Sequence, residues 1–501
     1  MQAGQVARAP VQAMAVGVGA RDLLLLAAGW LLATAILWDL PLNNDVSWQF
    51  WVARQLRYGF AFGTDIPEIN PPLWFWEAMP LSALAEWLGT APMHLAVTGT
   101  LARSAVAVAL MGALVPPRRR LLLTAGLAAA LLALPLLSFA ERDHLAVLGA
   151  LPYAALIAAR TERRAVDPRL ALAVGLFAAW GFALKPYFAL PPLLLEAWLL
   201  ARTRRWRPLR PETLALASVA AIYALAVVLF APGYLTVSIP LARAAYGDFA
   251  PPIASLFTRQ ACLPFWLLAT VALLLARPRQ PATHTALVTA AAFLCTYLLQ
   301  GKGFPYHALP LTVALAWALW LTLCEDSEPL RAVAKRPLAG LSLSCALGTA
   351  ALLGTYGTPQ LGRLERPIAA LPPGTVFAVI SAHSWHFPLV ERHGFIWPIP
   401  GGVALMSLPA ILRDPAHSAA LRRTTLDMIA NSLARCPAQA ILVDDPTDAR
   451  VLPPGADYLA FLRTDPRLAA LLDGYRTAGR ERGMRLLLHD GPTPRPTRCF
   501  T

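Results

Sequence analysis

Several ionisable residues stand where long apolar runs end. Asp45 follows the first run, in Asn43-Asn44-Asp45-Val46-Ser47-Trp48, and Glu68 comes just ahead of Asn70-Pro71-Pro72-Leu73-Trp74. Glu141-Arg142-Asp143-His144 and Lys185-Pro186-Tyr187 sit at later run ends, as do Lys302, Tyr306 and His307. A carboxylate in such a place could take a proton from an attacking hydroxyl, and cations facing it could hold a phosphate. Plainer readings stand beside these. An acid after an apolar run can be a cap, and residues 141–144 can be a solvated turn with internal ion pairs. A lysine stem can lie along apolar surface with its head in water. Trp48, Trp51, Trp74 and Trp76 fit an aromatic belt at a membrane–water interface.

Composition sets the medium. Of 501 residues, 57% are hydrophobic and 14% charged, where soluble domains carry about 45–50% and about 25%. Mean hydropathy is +0.52. The chain is read as an integral membrane protein, in which an ionisable group at the lipid boundary is costly and points to function. The formal charge of +14, from 43 basic and 29 acidic residues, sits in short clusters between apolar runs. That pattern is a topology signal rather than a nucleic-acid surface. Six cysteines lie far apart with no CxxC pair, which argues against a metal or redox centre. Cys436 and Cys499 could pair if the tail lies outside the cytoplasm. His383 and His386 have metal-like spacing without a third ligand nearby, and Asp444-Asp445 reads as a strand-end turn. Walker, GxSxG and HExxH motifs do not occur.

The elements that must position these residues follow from run length, at about 20 apolar residues per crossing. Eleven runs are read as crossings: 21–40, 93–115, 121–138, 144–160, 170–184, 187–201, 213–231, 254–276, 283–299, 306–324 and 338–356. Arg8 and Arg21 place the tail, 1–20, in the cytoplasm. Arg118 to Arg120, Arg160 to Arg164, Arg202 to Arg207, Arg277 to Arg279 and Arg331 to Arg336 then fall on the same side. The opposite, periplasmic side receives the first loop, 41–92, and the later polar run ends. Residues 72–89 carry Glu77 and Glu86 and are read as a helix lying on the membrane. Counting them as a crossing would carry Arg118 to Arg120 outside. From 357 to 501 the runs shorten into an α/β unit, with strands at 375–381, 440–444 and 485–489 and helices at 403–413, 419–435 and 456–472.

Taken in order, these features resemble the membrane glycosyltransferases of the GT-C fold, in particular the group containing aminoarabinose transferases and protein O-mannosyltransferases. The resemblance covers about residues 20–356. It rests on Asp45 after the first span, Tyr58-Gly59, Asn70-Pro71-Pro72-Leu73-Trp74, and Asp143 between the third and fourth spans. Gly181-Phe182-Ala183-Leu184-Lys185-Pro186, and then Lys302, Tyr306 and Pro310, complete the series. Two places depart from it. Asn44-Asp45 stands where members often have Asp-Glu, and Ile69-Asn70 where some have Glu-Lys, with Glu68 displaced by one.

The resemblance implies an α-helical polytopic membrane protein of about 11 transmembrane helices, GT-C type, with a C-terminal periplasmic α/β domain. It implies an inverting glycosyltransferase of the bacterial inner membrane, acting on cell-envelope glycans. The sugar would come from a polyprenyl-phosphate donor and go to a lipid, glycan or protein acceptor. Donor, acceptor and membrane lipid are then the partners, and nucleic acid is not. Asp45 would deprotonate the acceptor. Glu68, Asn70, Asp143 and His144 would contact substrate or acceptor. Lys185, Lys302, His307, Arg243 and Tyr306 would hold the lipid phosphate. A divalent metal ion, Mg or Mn, occurs in part of the superfamily only; if one binds, Asp45 and Asp143 would take it. The rival reading is a transporter or flippase of lipid-linked sugars, which would put ionisable residues near mid-membrane and show internal repeats. A third is an assembly protein that presents its tail to partners.

Overall fold

A backbone in lipid has no water to bond with, so each apolar run closes its hydrogen bonds on itself as a helix. The computed structural model describes residues 20–38, 43–115, 120–246, 252–258, 260–325, 340, 361–382, 387–405, 407–416, 418–446, 456–491 and 499. The helical part comprises α1 (Ala20–Leu37), α2 (Asn44–Arg57), α3 (Leu73–Leu88), α4 (Pro92–Leu114), α5 (Arg120–Ala133), α6 (Arg142–Thr161) and α7 (Pro168–Phe182). It continues with α8 (Leu190–Thr203), α9 (Pro211–Phe230), α10 (Ile239–Tyr246), α11 (Ile253–Thr258), α12 (Leu263–Ala276), α13 (Pro281–Gln300) and α14 (Pro305–Leu323). Among the described residues α4, α6, α9, α13 and α14 are long and apolar enough to cross a membrane. Each except α6 opens on a proline, where a missing N–H costs nothing and the fixed φ suits a helix.

Ten of the eleven apolar runs correspond to described helices, and 338–356 falls almost wholly outside the described residues. The run 254–276 is not one helix. It divides into α11 and α12, and Gln260 in the break donates its side-chain N–H to the Gly303 carbonyl. Residues 72–89 do form a helix, α3. At 16 residues it is about 24 Å long, short of the roughly 30 Å hydrocarbon core. Glu77, however, does not face water. It takes two bonds from Arg103 of α4, at 3.1 and 2.9 Å, and one from Trp180 of α7 at 2.6 Å.

The two ends of the bundle differ in chemistry. At one, Arg160 donates twice to Glu212 at 3.0 and 3.1 Å, and Arg164 reaches the Leu114 carbonyl at 2.9 Å. These join the C-terminal ends of α4 and α6 to the start of α9. The other end holds the first turns of α2 and α6 and the chain between α7 and α8. Close helix contact fixes that end. A Cβ on Gly149 of α6 would lie 2.9 Å from the Ala178 Cα of α7, and one on Gly181 of α7 would lie 3.0 Å from the Leu145 carbonyl oxygen. Small residues let the two backbones meet this closely, which brings Asp143 beside Lys185.

The C-terminal unit comprises α15 (Glu365–Ala369), β1 (Phe377–Ile380), α16 (Phe387–His393), α17 (Gly402–Leu405), α18 (Leu408–Arg413), α19 (Ala419–Arg435), β2 (Ala440–Asp444), α20 (Tyr458–Leu462), α21 (Pro466–Leu472), β3 (Tyr475–Glu481) and β4 (Met484–His489). Its sheet runs β1-β2-β4-β3. β1 and β2 are parallel, with Phe377 opposite Ala440, and the other pairs are antiparallel. β1 and β2 are wholly buried, as continuous apolar strands should be. β3 was not expected: Tyr475–Glu481 is a half-exposed edge strand with few apolar residues. The expected helices 403–413 and 456–472 each resolve into two, with Pro409 and Pro466 near the start of the second. Cys436 and Cys499 form a disulfide with Cα atoms 5.1 Å apart. Asp444 accepts from the Ser381 hydroxyl and the Ala382 N–H, both at 2.6 Å, the strand-end role read from sequence. His383 and His386 lie outside the described residues.

Candidate active site

Asp45 sits in the first turn of α2. Asn43 caps that helix, its side-chain oxygen accepting the Asp45 N–H at 3.2 Å, and an acid in a first turn suits the helix dipole. Arg142 opens α6 and donates to Asp45 Oδ2 at 3.2 Å. The same guanidinium donates to Asn70 Oδ1 and lies over the Trp74 ring, 4.5 Å from its centroid. The Asp45 side chain is 30% exposed while that of Arg142 is 3% exposed. Asp45 is therefore the accessible acid of the group.

A second pair lies deeper. Lys185 donates to Asp143 Oδ2 at 2.5 Å and to Gln300 Oε1 at 3.0 Å. Its ammonium is 5.3 Å from the Tyr306 ring centroid and 5.5 Å from that of Phe188. Burial pushes the Lys185 ammonium below the usual lysine range, against the opposing pull of Asp143. Lys302 lies within electrostatic reach of Lys185, Arg142 and Asp45; burial first, and then those two cations, hold it down to about 7.

Glu68 is buried behind Asp45. Its carboxylate accepts from Trp48 Nε1 at 2.5 Å, from the Asn70 N–H at 2.7 Å and from the Asn70 side chain at 2.6 Å. Burial raises its pKa against those bonds. Glu141, fully buried, is pushed well above the carboxylate range by burial and then by Asp45. Both Glu141 oxygens, Asp143 Oδ1, Gln300 Nε2 and His307 Nδ1 are buried without a hydrogen-bond partner among the described residues. Unmet groups of this kind usually mark a ligand or ordered water.

The fold thus gathers Asp45, Glu68, Asn70, Asp143, Lys185, Lys302, Tyr306 and His307 at one end of the bundle. Two expected residues are placed apart from these contacts. His144 is fully buried and serves backbone: Nδ1 accepts the Ala140 N–H at 3.3 Å, which leaves Nε2–H to donate to the Leu131 carbonyl at 3.0 Å. Arg243 is exposed on α10, and among the described residues it makes no hydrogen bond or ion pair with the cluster. Residues 141–144 are not a solvated turn; they enter α6 nearly without exposure. Gln300 is a residue of the cluster that the sequence reading does not name; Arg142 and Glu141 enter that reading only as members of the 141–144 run, and Trp74 as part of an aromatic belt and of the Asn70–Trp74 series. The signal for Arg142 was its place between two acids at a run end, which reads equally as internal pairing.

Among the described residues no three His, Cys, Asp or Glu side chains could hold a metal ion. Asp45 and Asp143 are each matched with a cation instead, so the donor set does not fit one.

Fold and site together define a class: an α-helical polytopic membrane protein of the GT-C fold with a small C-terminal α/β unit. The chain is similar to the crystal structure of ArnT from Cupriavidus metallidurans bound to undecaprenyl phosphate, with a TM-score of 0.56 and 16% identity over 95% of this chain and 100% of that one. The apo structure of the same protein gives 0.52 and 16% over 94% and 99%. No protein-family model matches the chain, and no curated protein matches it by sequence. At this identity the likeness shows the fold.

Proposed function

We propose that the chain is an inverting glycosyltransferase that moves a sugar from a polyprenyl phosphate to a lipid, glycan or protein acceptor at the periplasmic face of the inner membrane. The observation that carries this reading is the convergence, at one end of a GT-C bundle, of an accessible carboxylate and several cations. Asp45 is 3.2 Å from Arg142, and Lys185 and Lys302 lie beyond it. The arginine-rich opposite end supports a periplasmic site, and so does the Cys436–Cys499 disulfide, a bond that persists in oxidising compartments. That ArnT binds undecaprenyl phosphate within the same fold supports the donor class.

Asp45 takes the proton of the acceptor hydroxyl. The acceptor oxygen attacks the anomeric carbon from the face opposite the phosphate, and the bond from that carbon to the phosphate oxygen breaks. The electron pair leaves on the prenyl phosphate. Lys185, Lys302 and Arg142, with Tyr306 and His307 beside them, meet the charge that grows there, so the leaving group needs no proton. Asp143 orients Lys185, and Asn70 orients Arg142. No step runs through a metal ion. The ionisable groups gather at helix ends rather than at mid-length, which favours transfer over transport of lipid-linked sugars.

Asp45→Asn is expected to lower transfer by about 10²- to 10⁴-fold while undecaprenyl phosphate still binds. Transfer is read on purified protein supplied with polyprenyl phosphates bearing a hexose, a pentose or an amino sugar, together with an envelope lipid extract. Full transfer by the folded variant would overturn the mechanism.

A further inference from the structure

The helix that carries Asp45 is held from two sides, and one of them is the C-terminal unit. Phe387, the first residue of α16, donates its N–H to Asn44 Oδ1 at 3.0 Å. Asn44 adjoins Asp45 in the chain. One turn along α2, Trp48 packs edge-on against Phe387, with centroids 5.2 Å apart, and against Trp397 at 6.5 Å. Two turns further, Arg54 pairs with Glu391 of α16 at 3.3 Å. The contact runs the length of α2, and its polar members sit at both ends.

A second route reaches the same carboxylate. Trp48 Nε1–H donates to buried Glu68, whose other oxygen takes the backbone and side-chain N–H groups of Asn70. Asn70 Oδ1 accepts from Arg142, and Arg142 donates to Asp45. Trp48 thus touches the C-terminal unit with its ring, and Glu68, two contacts away from Arg142, through its ring nitrogen. Every link is a direct contact, and Trp48, Glu68 and Arg142 are buried.

We infer that the C-terminal unit positions the base: Asn44, Trp48 and Glu68 are positioning residues that pass the docking of α16 on to Asp45. This rests on Asp45 being the acceptor base. Asn44 sets the first turn of α2 against α16. Trp48, Glu68 and Asn70 set Arg142, and Arg142 sets the rotamer of Asp45. A shift of the base by about an ångström costs on the order of a hundredfold in rate without loosening the donor. Of the phosphate-facing cations, Lys185 and Lys302 belong to other elements, so the donor keeps most of its hold when this chain of contacts, which includes Arg142, is disturbed.

The test uses the full-length protein and two variants chosen to keep its packing. Trp48→Phe keeps an aromatic ring against Phe387 and Trp397 but loses the N–H to Glu68. Asn44→Ala loses the acceptor for α16. Each is expected to lower kcat about tenfold to a hundredfold, with the donor KM and undecaprenyl phosphate binding within about threefold of the starting protein. Glu68→Gln keeps one acceptor oxygen and should retain about tenfold more kcat than Glu68→Ala. In the double variant Asn44→Ala with Trp397→Ala, the losses should be less than multiplicative, because both act through the seat of α2. Two results would overturn the inference: wild-type kcat in folded Trp48→Phe and Asn44→Ala, or a loss accounted for by less folded protein turning over at the wild-type kcat. Either leaves the Asp45 reading standing, because that reading answers to Asp45→Asn alone.

Discussion

Arg142 makes three contacts with one planar group: the Asp45 carboxylate, the Asn70 carbonyl and the face of Trp74. A lysine presents a compact ammonium and cannot reproduce this fork and stack. Arg142→Lys should therefore keep the charge yet lower transfer roughly tenfold to a hundredfold, the worth of one or two charged hydrogen bonds. The purified-protein assay checks it. Lys302 offers a different reading. Burial and its cationic neighbours hold it down to about 7, so its ammonium is lost as pH rises through neutrality. Affinity for undecaprenyl phosphate should fall between pH 6 and pH 8.5, and Lys302→Gln should bind weakly at pH 6 with a flatter pH slope. Stability runs the other way. Above about 7 the unfolded chain holds the extra proton, so this group favours the fold more as pH rises toward the ordinary lysine range. Asp45, Asp143, Lys185 and Tyr306 could be found from type and place, because an ionisable group at the end of an apolar run is unusual enough to notice. The backbone contacts of His144 were not legible, because a ring that serves two backbone groups looks, in sequence, like one that serves a substrate. The place of Arg243 was not legible, because a run of loop residues does not say which side of a short helix faces the site.

At the level of elements, the apolar runs marked their helices well, since lipid leaves a long apolar segment only one way to satisfy its backbone. The break between α11 and α12 was hidden, because Gln260 is a single polar residue and its partner, the Gly303 carbonyl, is 43 residues away. β3 was hidden for another reason. It is an edge strand whose residues are half exposed, so neither alternation nor an apolar run announces it. Within the C-terminal unit the disulfide ties the residue after α19 to Cys499, a separation of 63 residues. Closing a loop of that size stabilises a small unit by about 2–5 kcal/mol. Cys436→Ala, or reduction of the native protein, should lower the melting temperature of this unit. Because α16 belongs to it and rests on α2, transfer should fall as well. A thermal scan with and without reductant, paired with the transfer assay, checks both.

Over the whole molecule, the least legible fact was how its two parts meet. Asn44 and Phe387 are 343 residues apart, and nothing local in either segment names the other. Their aromatic character was visible, but Trp48 and Trp51 fitted a lipid interface as well as a protein one. The outcome is a helix, α2, clasped between a helical bundle and a folded tail. One further property follows from the ion pairs at its centre. Arg142 and Lys185 each rest against a carboxylate, at 3.2 and 2.5 Å, so much of their field is cancelled before it leaves the protein. Mobile ions screen charges beyond about 10 Å at 0.1 M, and little long-range attraction is left here for them to screen. On the proposed reading, an arriving phosphate would meet these cations only at contact, each still held by its carboxylate. Donor affinity should therefore change by no more than about threefold between 50 mM and 500 mM salt, unlike that of a surface which draws its ligand in from solution.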